Sequence, residues 1–399
     1  MKILTLGLSP FYFTRNSKIH DTIIRNISTG DKDILLSSIF MEHDVEYFPQ
    51  ESISSRYSGV IGTFYNTNSM GDQLVTDVFD IVDREDPDVV LAIGGFSELE
   101  YIRAVKRVSP DGFSWIIILT SNIDDKISEF SETMLEADHV VCLTEKSYSA
   151  LKSLGVDVSL FKYGIGESFS DSSCSKDEKG SVPTFIINDK NVQQSNLALV
   201  LDSFSSFVDR EFKLILHTNY HEAGDYDLDH LISKFNISHI EIPDKFIGMK
   251  EGESVNSLIE KYRRAHFVID LSIKPITSLC VLEAMSQGCI PIINKVGAVY
   301  EEIISDDKYA ILQDFMVDNS LFFGGHLEPF YMTSRESFCS KVERSINLIR
   351  SEDGESFSDI SESSKSMTFN FLDKGFYENI RNLIINGNFN TKKELKLKL

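Results

Sequence analysis

Residues 276–304 read ITSLCVLEAMSQGCIPIINKVGAVYEEII. Thr277 and Ser278 make a small-residue turn, and the residues after them predict a helix over 278–287. Gly288 stops that helix, because glycine accepts the left-handed backbone that closes a last turn. Pro291 then enters a short apolar run, 290–294, that predicts a buried strand. A helix feeding such a strand through a glycine turn is half of a β-α-β unit, and strands apolar on both faces belong to parallel sheets. The helix start at Ser278 and Leu279 presents free backbone N–H groups and a partial positive charge, which suits an anion and above all a diphosphate. Glu283, about one and a half turns in, is placed to accept hydrogen bonds from a ribose diol. The plain alternative is a capped helix with Glu283 merely exposed.

The same rhythm extends in both directions. Upstream, strands are expected over 2–8, 34–40, 88–93, 115–119 and 139–143, and helices over 17–27, 70–83, 98–108, 128–135 and 147–154. Ile19, Ile23 and Ile27 fall on one helical face. The rhythm breaks at 167–183, ESFSDSSCSKDEKGSVP, a polar stretch that reads as a linker. It restarts with strands over 184–188, 213–217 and 266–271 and helices over 195–208, 228–235 and 255–264. After Phe315 it weakens into a helix over 335–350, a polar stretch over 351–366 and a helix over 369–385. The expectation is α/β: two doubly wound Rossmann-like domains, 1–166 and 183–368, joined by a linker at 167–182 and facing across a cleft. A C-terminal helix, 369–390, packs back on the first domain, and a basic tail, 391–399, follows as a solvated end or as a membrane-surface or nucleic-acid contact. Ligands of such sheets bind at the carboxyl ends of the strands, but dehydrogenases, kinases, sugar transferases and binding proteins all share the pattern.

Composition narrows the classes. The chain has 399 residues, 42% hydrophobic and 25% charged, so a large core exists. No apolar run reaches the roughly 18 residues of a spanning helix. The opening MKILTLGLSPFYF reads as a first strand and not as a signal peptide. Five cysteines without CxxC spacing point to reduced thiols in a cytoplasm and to no zinc site. A net charge of −22 repels polyanions at long range, though screening over about 8 Å leaves room for a local basic cleft.

The segment 279–293, with Leu282-Glu283-Ala284-Met285, Gly288 and Pro291, resembles the donor-site motif of GT-B glycosyltransferases, in particular retaining family 4. Weaker pieces agree in order: Phe246-Ile247-Gly248 near the base, 255–272 before the donor loop, Ala137-Asp138-His139 to Glu145, Tyr163-Gly164-Ile165-Gly166, and Val296-Gly297 with Glu301. The resemblance implies a nucleotide diphosphate sugar as donor, of the UDP-sugar type, with no obligatory metal, and a hexosyl or pentosyl transfer with retention. Glu283 takes the place of the family's ribose-binding glutamate. The other motif glutamate falls at Pro275, and Thr277 and Ser278 replace an aromatic-glycine pair. Of two cations that neutralise the diphosphate, one falls at Lys190 and the other at Ser195; Lys274 is a candidate to compensate. An exposed turn lysine is the alternative for Lys190.

On the first domain, Ser121 and Asn122 stand where the family keeps a histidine near the reacting sugar, as hydrogen-bonding catalytic candidates. Ser9, Pro10 and Asn16, His43 beside Asp44, and Gly94-Gly95 are the acceptor-side candidates, with surface-loop and tight-turn readings open for His43 and the glycines. Asp225-Tyr226-Asp227 has the D-x-D form of a metal site, but aspartates at a helix start are ordinary caps. No G-x-G-x-x-G follows a first strand and no G-x-S-x-G occurs. The acceptor is a glycan or small molecule, or hydroxymethylated cytosine in DNA as for some phage GT-B enzymes, which would place the chain in a host cytoplasm. Arg103, Lys106, Arg107, Arg263 and Arg264 are the local cations that the DNA reading would use. A non-catalytic protein that keeps the fold is the rival from another class, and the oligomeric state stays open.

Overall fold

The computed structural model describes residues 1–8, 15–27, 33–41, 57, 60–67, 72–120, 127–162, 164–169, 179–218, 224–242, 254–273, 278–297, 299–304, 308–318, 322–323, 326–327, 330–350, 356–368 and 374–387. The chain divides into two units, Met1–Tyr163 with Lys374–Leu399, and Gly164–Asp373.

Unit 1 is built on a seven-stranded parallel sheet ordered β3-β2-β1-β4-β5-β6-β7. Its strands are β1 (Lys2–Leu8), β2 (Leu35–Met41), β3 (Phe64–Thr67), β4 (Val89–Gly94), β5 (Ser114–Leu119), β6 (His139–Cys142) and β7 (Val158–Leu160). Helices α1 (Arg15–Ile27), α2 (Asp72–Glu85), α3 (Phe96–Val108), α4 (Ile127–Glu136) and α5 (Glu145–Ser153) connect them. β4 and β5 are buried at every residue, as strands covered on both faces must be. Ile19, Ile23 and Ile27 are buried along one face of α1. A late helix, α12 (Lys374–Asn386), returns to this unit and packs on α1.

Unit 2 carries a six-stranded parallel sheet ordered β10-β9-β8-β11-β12-β13. Its strands are β8 (Thr184–Asn188), β9 (Lys213–His217), β10 (Ile240–Glu241), β11 (Phe267–Asp270), β12 (Ile290–Asn294) and β13 (Ile311–Gln313). The helices are α6 (Leu197–Phe204), α7 (Leu228–Phe235), α8 (Val255–Arg264), α9 (Leu279–Ser286), α10 (Arg335–Arg350) and α11 (Phe357–Thr368). One face of the sheet carries a cluster of aromatics: Phe204 packs on Phe185, Phe212 and Phe338 with ring centroids 5.1, 5.2 and 6.3 Å apart.

Three sequence expectations change. The helix over 195–208 breaks into a 3-10 turn (Gln193–Ser195), Asn196 in the left-handed region at φ 56°, α6, and a second 3-10 turn (Ser205–Phe207). A left-handed asparagine cannot continue a right-handed helix. The polar stretch 351–366 holds α11, which hydrophobic periodicity misses because serines dock it. Ser361 Oγ donates to the Gly288 carbonyl at 2.8 Å and Ser364 Oγ to that of Cys289 at 3.2 Å. Beyond β13 the chain also forms two short antiparallel pairings, β14 (Met316–Asp318) with β17 (Phe330–Met332), and β15 (Phe322–Phe323) with β16 (His326–Leu327).

Candidate functional site

In a parallel sheet ordered this way, the direction in which successive strands are added reverses between β8 and β11, and ligands of such sheets bind outside the carboxyl ends of the strands at that point. Ile187 pairs with Ile269, so Asn188 and Asp270 close the two strands side by side. A small pocket opens beside this point, at the ends of β11 and β12 and the start of α9, lined by Asp270, Ser272, Ser278, Ile293, Asn294 and Val299 among others. Ser278 stands at the start of α9 with no side-chain bond to the first-turn N–H groups; its Oγ lies 3.0 Å from Cys280 Sγ instead. Gly288 closes the helix at φ 77°, a left-handed conformation that glycine permits without a Cβ penalty. Leu279 is buried in packing. Glu283 is 4% exposed, which overturns the reading of it as a surface residue.

Glu283 meets a short chain of polar groups. Tyr262, on α8 and wholly buried, directs its phenol toward Glu283 Oε2 at 3.5 Å and accepts from Asn188 Nδ2 at 2.5 Å. Burial and the Glu283 charge hold the phenol well above its ordinary pKa, so it stays a neutral donor.

Two carboxylates stand beside the positions where the resemblance implies cations. Ser272 Oγ lies 2.6 Å from Asp270 Oδ1 and 3.2 Å from Asp189 Oδ2. The Asp189 pKa is raised to about 6, by burial first and by Asp270 second, against hydrogen bonds from the Lys190 amide, Ser195 and Ser272. Ser195, at the position of the lost cation, is thus a partner of Asp189. Lys190 is exposed, and its amide donates to Asp189 Oδ1 at 2.7 Å. Crowding around its ammonium still desolvates it enough to lower its pKa, with Asp189 pulling the other way.

The loop after β8 is tied down on two sides. Ile273 N donates to the Gln194 carbonyl at 2.9 Å. Asn191 Nδ2 donates to the Tyr226 carbonyl at 2.8 Å, and Gln193 N to Asp225 Oδ2 at 2.8 Å. Asp227 accepts from His230 N at 2.9 Å and caps α7. Both aspartates of the D-x-D triplet therefore serve backbone N–H groups. Gly224 lies against this loop so closely that a Cβ there would meet Asn191 Nδ2 at 2.1 Å.

Unit 1 reverses between β1 and β4. Gly94 ends β4 and Gly95 is the N-cap of α3, both buried. Beneath the end of β1 sits a neutral network. His20 Nδ1 lies 3.0 Å from the Leu8 carbonyl and its Nε2 2.8 Å from Thr5 Oγ1, which lies 2.7 Å from Ser38 Oγ. Burial lowers the His20 pKa to about 4. Asn16 lies in α1. Ser9, Pro10, His43, Ser121, Asn122, Gly248, Lys274 and Thr277 lie outside the described residues.

Asp189, Asp270, Ser272, Asn188 and His20 were not singled out by sequence. Asp270 and Asn188 are single polar residues ending apolar strands, and only the strand order makes them neighbours. Tyr262 falls within a matched motif but its spacing shows no role.

No protein-family model matches the chain, and no curated protein matches it. Solved structures do. A glycosyltransferase from Rickettsia africae is 13% identical, with 97% of this chain and 99% of that one covered at TM-score 0.66. A sucrose-phosphate synthase from Thermosynechococcus elongatus is 9% identical, with 96% and 98% covered at TM-score 0.68. A trehalose-6-phosphate protein from E. coli, bound with UDP-2-fluoro glucose, is 8% identical, with 97% and 98% covered at TM-score 0.64. Two parallel-sheet α/β domains of this kind are the GT-B glycosyltransferase fold.

Proposed function

We propose that the chain is a glycosyltransferase that takes a sugar from a nucleotide diphosphate donor held by unit 2 and passes it to a hydroxyl acceptor, with retention. The observation that carries this reading is the position of Ser278 and Glu283: one opens α9 at the carboxyl-end pocket of the sheet, the other is buried on the same helix beside Tyr262. The E. coli neighbour with UDP-2-fluoro glucose supports a UDP-sugar as donor. In this mechanism Glu283 accepts from the ribose hydroxyls. The α9 N-terminus and Lys190 stabilise the charge that gathers on the departing diphosphate. Lysine does so as a point charge without the fork of an arginine. The departing phosphate takes the acceptor proton, so no strong protein base is needed. Gly248 beside the base, with Lys274 and Thr277 beside the diphosphate, completes the donor side. Ser121, Asn122, Ser9, Pro10, Asn16, His43, Gly94 and Gly95 form the acceptor side.

For the acceptor, we favour a glycan or small molecule over hydroxymethylated DNA. Arg103 pairs with Glu100, Glu132 and Glu136, Arg107 with Glu136, Lys106 with Asp138, and Arg264 with Glu241. Cations held in such pairs have less to give to phosphates. A second reading, a binding protein without transferase activity, draws on Asp189 and Asp270, whose charges oppose a diphosphate. The test is NMR-detected release of nucleoside diphosphate from a panel of nucleotide sugars, with and without glycan acceptors and hydroxymethylated DNA. Acceptor-stimulated release establishes the transferase and its acceptor class. Release from no nucleotide sugar, with or without acceptor, supports the second reading.

A further inference from the structure

We propose that Tyr262 is a positioning residue that orients Glu283 for the ribose of the nucleotide, with Asn188 fixing the phenol in turn. The inference rests on the reading of unit 2 as the nucleotide site and adds the residues that aim its carboxylate. A phenol has one proton and accepts through its oxygen. The acceptor side of Tyr262 is taken by Asn188 Nδ2 at 2.5 Å. Its proton is then directed elsewhere, and the acceptor facing it among the described residues is Glu283 Oε2 at 3.5 Å. The ring is wholly buried between α8 and α9, so its rotamer is fixed by packing. A donor held in place by packing restricts the directions in which the carboxylate can turn. Asn188 is the last residue of β8 and precedes the Asp189-Lys190 turn. The three side chains therefore link the diphosphate-side turn to the ribose-side carboxylate.

The test is calorimetric binding of UDP and of ADP, each against its 2′,3′-dideoxy analogue, to wild type, Glu283→Ala, Tyr262→Phe and Asn188→Ala. Wild type is expected to prefer the ribose form about tenfold or more. Glu283→Ala should erase that preference. Tyr262→Phe keeps the ring and its packing, and should cut the preference at least threefold while leaving affinity for the dideoxy analogue in place. Asn188→Ala should act in the same direction and covers the case in which Tyr262→Phe does not fold. A wild-type preference that survives both Tyr262→Phe and Asn188→Ala overturns the inference while leaving Glu283 at the ribose. A wild type that binds either nucleotide without preferring ribose, or binds neither, overturns the ribose reading itself, and the inference with it.

Discussion

The two sheets share one topology and put different chemistry at the point where it reverses. In unit 1 the described strand ends, Leu8, Gly94 and Gly95, bear no side-chain charge, and the polar network beneath them is neutral and closed: His20, Thr5 and Ser38 satisfy one another. In unit 2 the equivalent place carries Asp189, Lys190 and Asp270, with Glu283 buried on the adjoining helix. Isolated charges at a partly buried strand end cost free energy unless they meet a partner. Among the described residues these charges fall in unit 2, and the proposed function uses that contrast: neutral hydrogen-bonding groups for an acceptor on one sheet, charged groups for a phosphorylated donor on the other.

The sharpest way to break this comparison is to damage one core and watch the other. Phe204→Ala removes a ring packed among Phe185, Phe212 and Phe338 and should cost unit 2 about 3–5 kcal/mol. The single tryptophan, Trp115, is buried in the core of unit 1 and reports on that unit. The far-UV circular dichroism transition should move to lower urea while the Trp115 fluorescence transition stays; a joint shift would mean that the units unfold as one. The reciprocal change is Gly7→Ala, whose Cβ would lie 2.7 Å from His20 Nδ1. Overpacking this buried network should cost about 1–3 kcal/mol, read as a lower fluorescence midpoint, with nucleotide affinity unchanged.

The charged end is sharpened by pH. Asp189 holds its proton more tightly in the folded protein, with a pKa of about 6 against the usual 3.8. Its folded state therefore loses stability as pH rises from about 4 to 6, and the full cost stands above that window. Asp189→Asn can keep the Lys190 amide and Ser272 contacts, and should stabilise the protein at pH 7.5 by about 1–2 kcal/mol after solvent screening is allowed for. An anionic donor raises the Asp189 pKa further, so UDP-sugar affinity should tighten as pH falls from 8 toward 6 in wild type and stay flat in Asp189→Asn. Equal pH profiles would remove Asp189 from the donor's surroundings. The smallest expected effect is at Lys190, which is exposed: Lys190→Ala should weaken diphosphate binding by about 0.5–1 kcal/mol, and Lys190→Arg should keep or improve it.

Much of the fold was legible because parallel strands covered on both faces are short apolar runs, and these alternate with amphipathic helices. The strands 184–188 and 213–217 and the helices 228–235, 255–264 and 335–350 coincide with the structure residue for residue. What escaped depends on tertiary contact. The serine contacts of α11 form with Gly288 and Cys289, more than seventy residues away in sequence. In the candidate site, the placing of Ser278 and Glu283 on one helix was legible. The facing of Asp189 by Asp270 was not, since it follows from β8 lying beside β11, and Tyr262 looked like any core aromatic of a helix.

The proposed function makes the carboxyl end of the unit 2 sheet a nucleotide-sugar site centred on Glu283. Isothermal titration of a panel of nucleotide sugars into wild type and Glu283→Ala tests it most directly. Such a site should bind at least one nucleotide sugar saturably in wild type, with affinity weaker by about tenfold or more in a Glu283→Ala protein that unfolds at a similar temperature. Equal affinity in the two proteins, or no binding to wild type by any member of the panel, would contradict it.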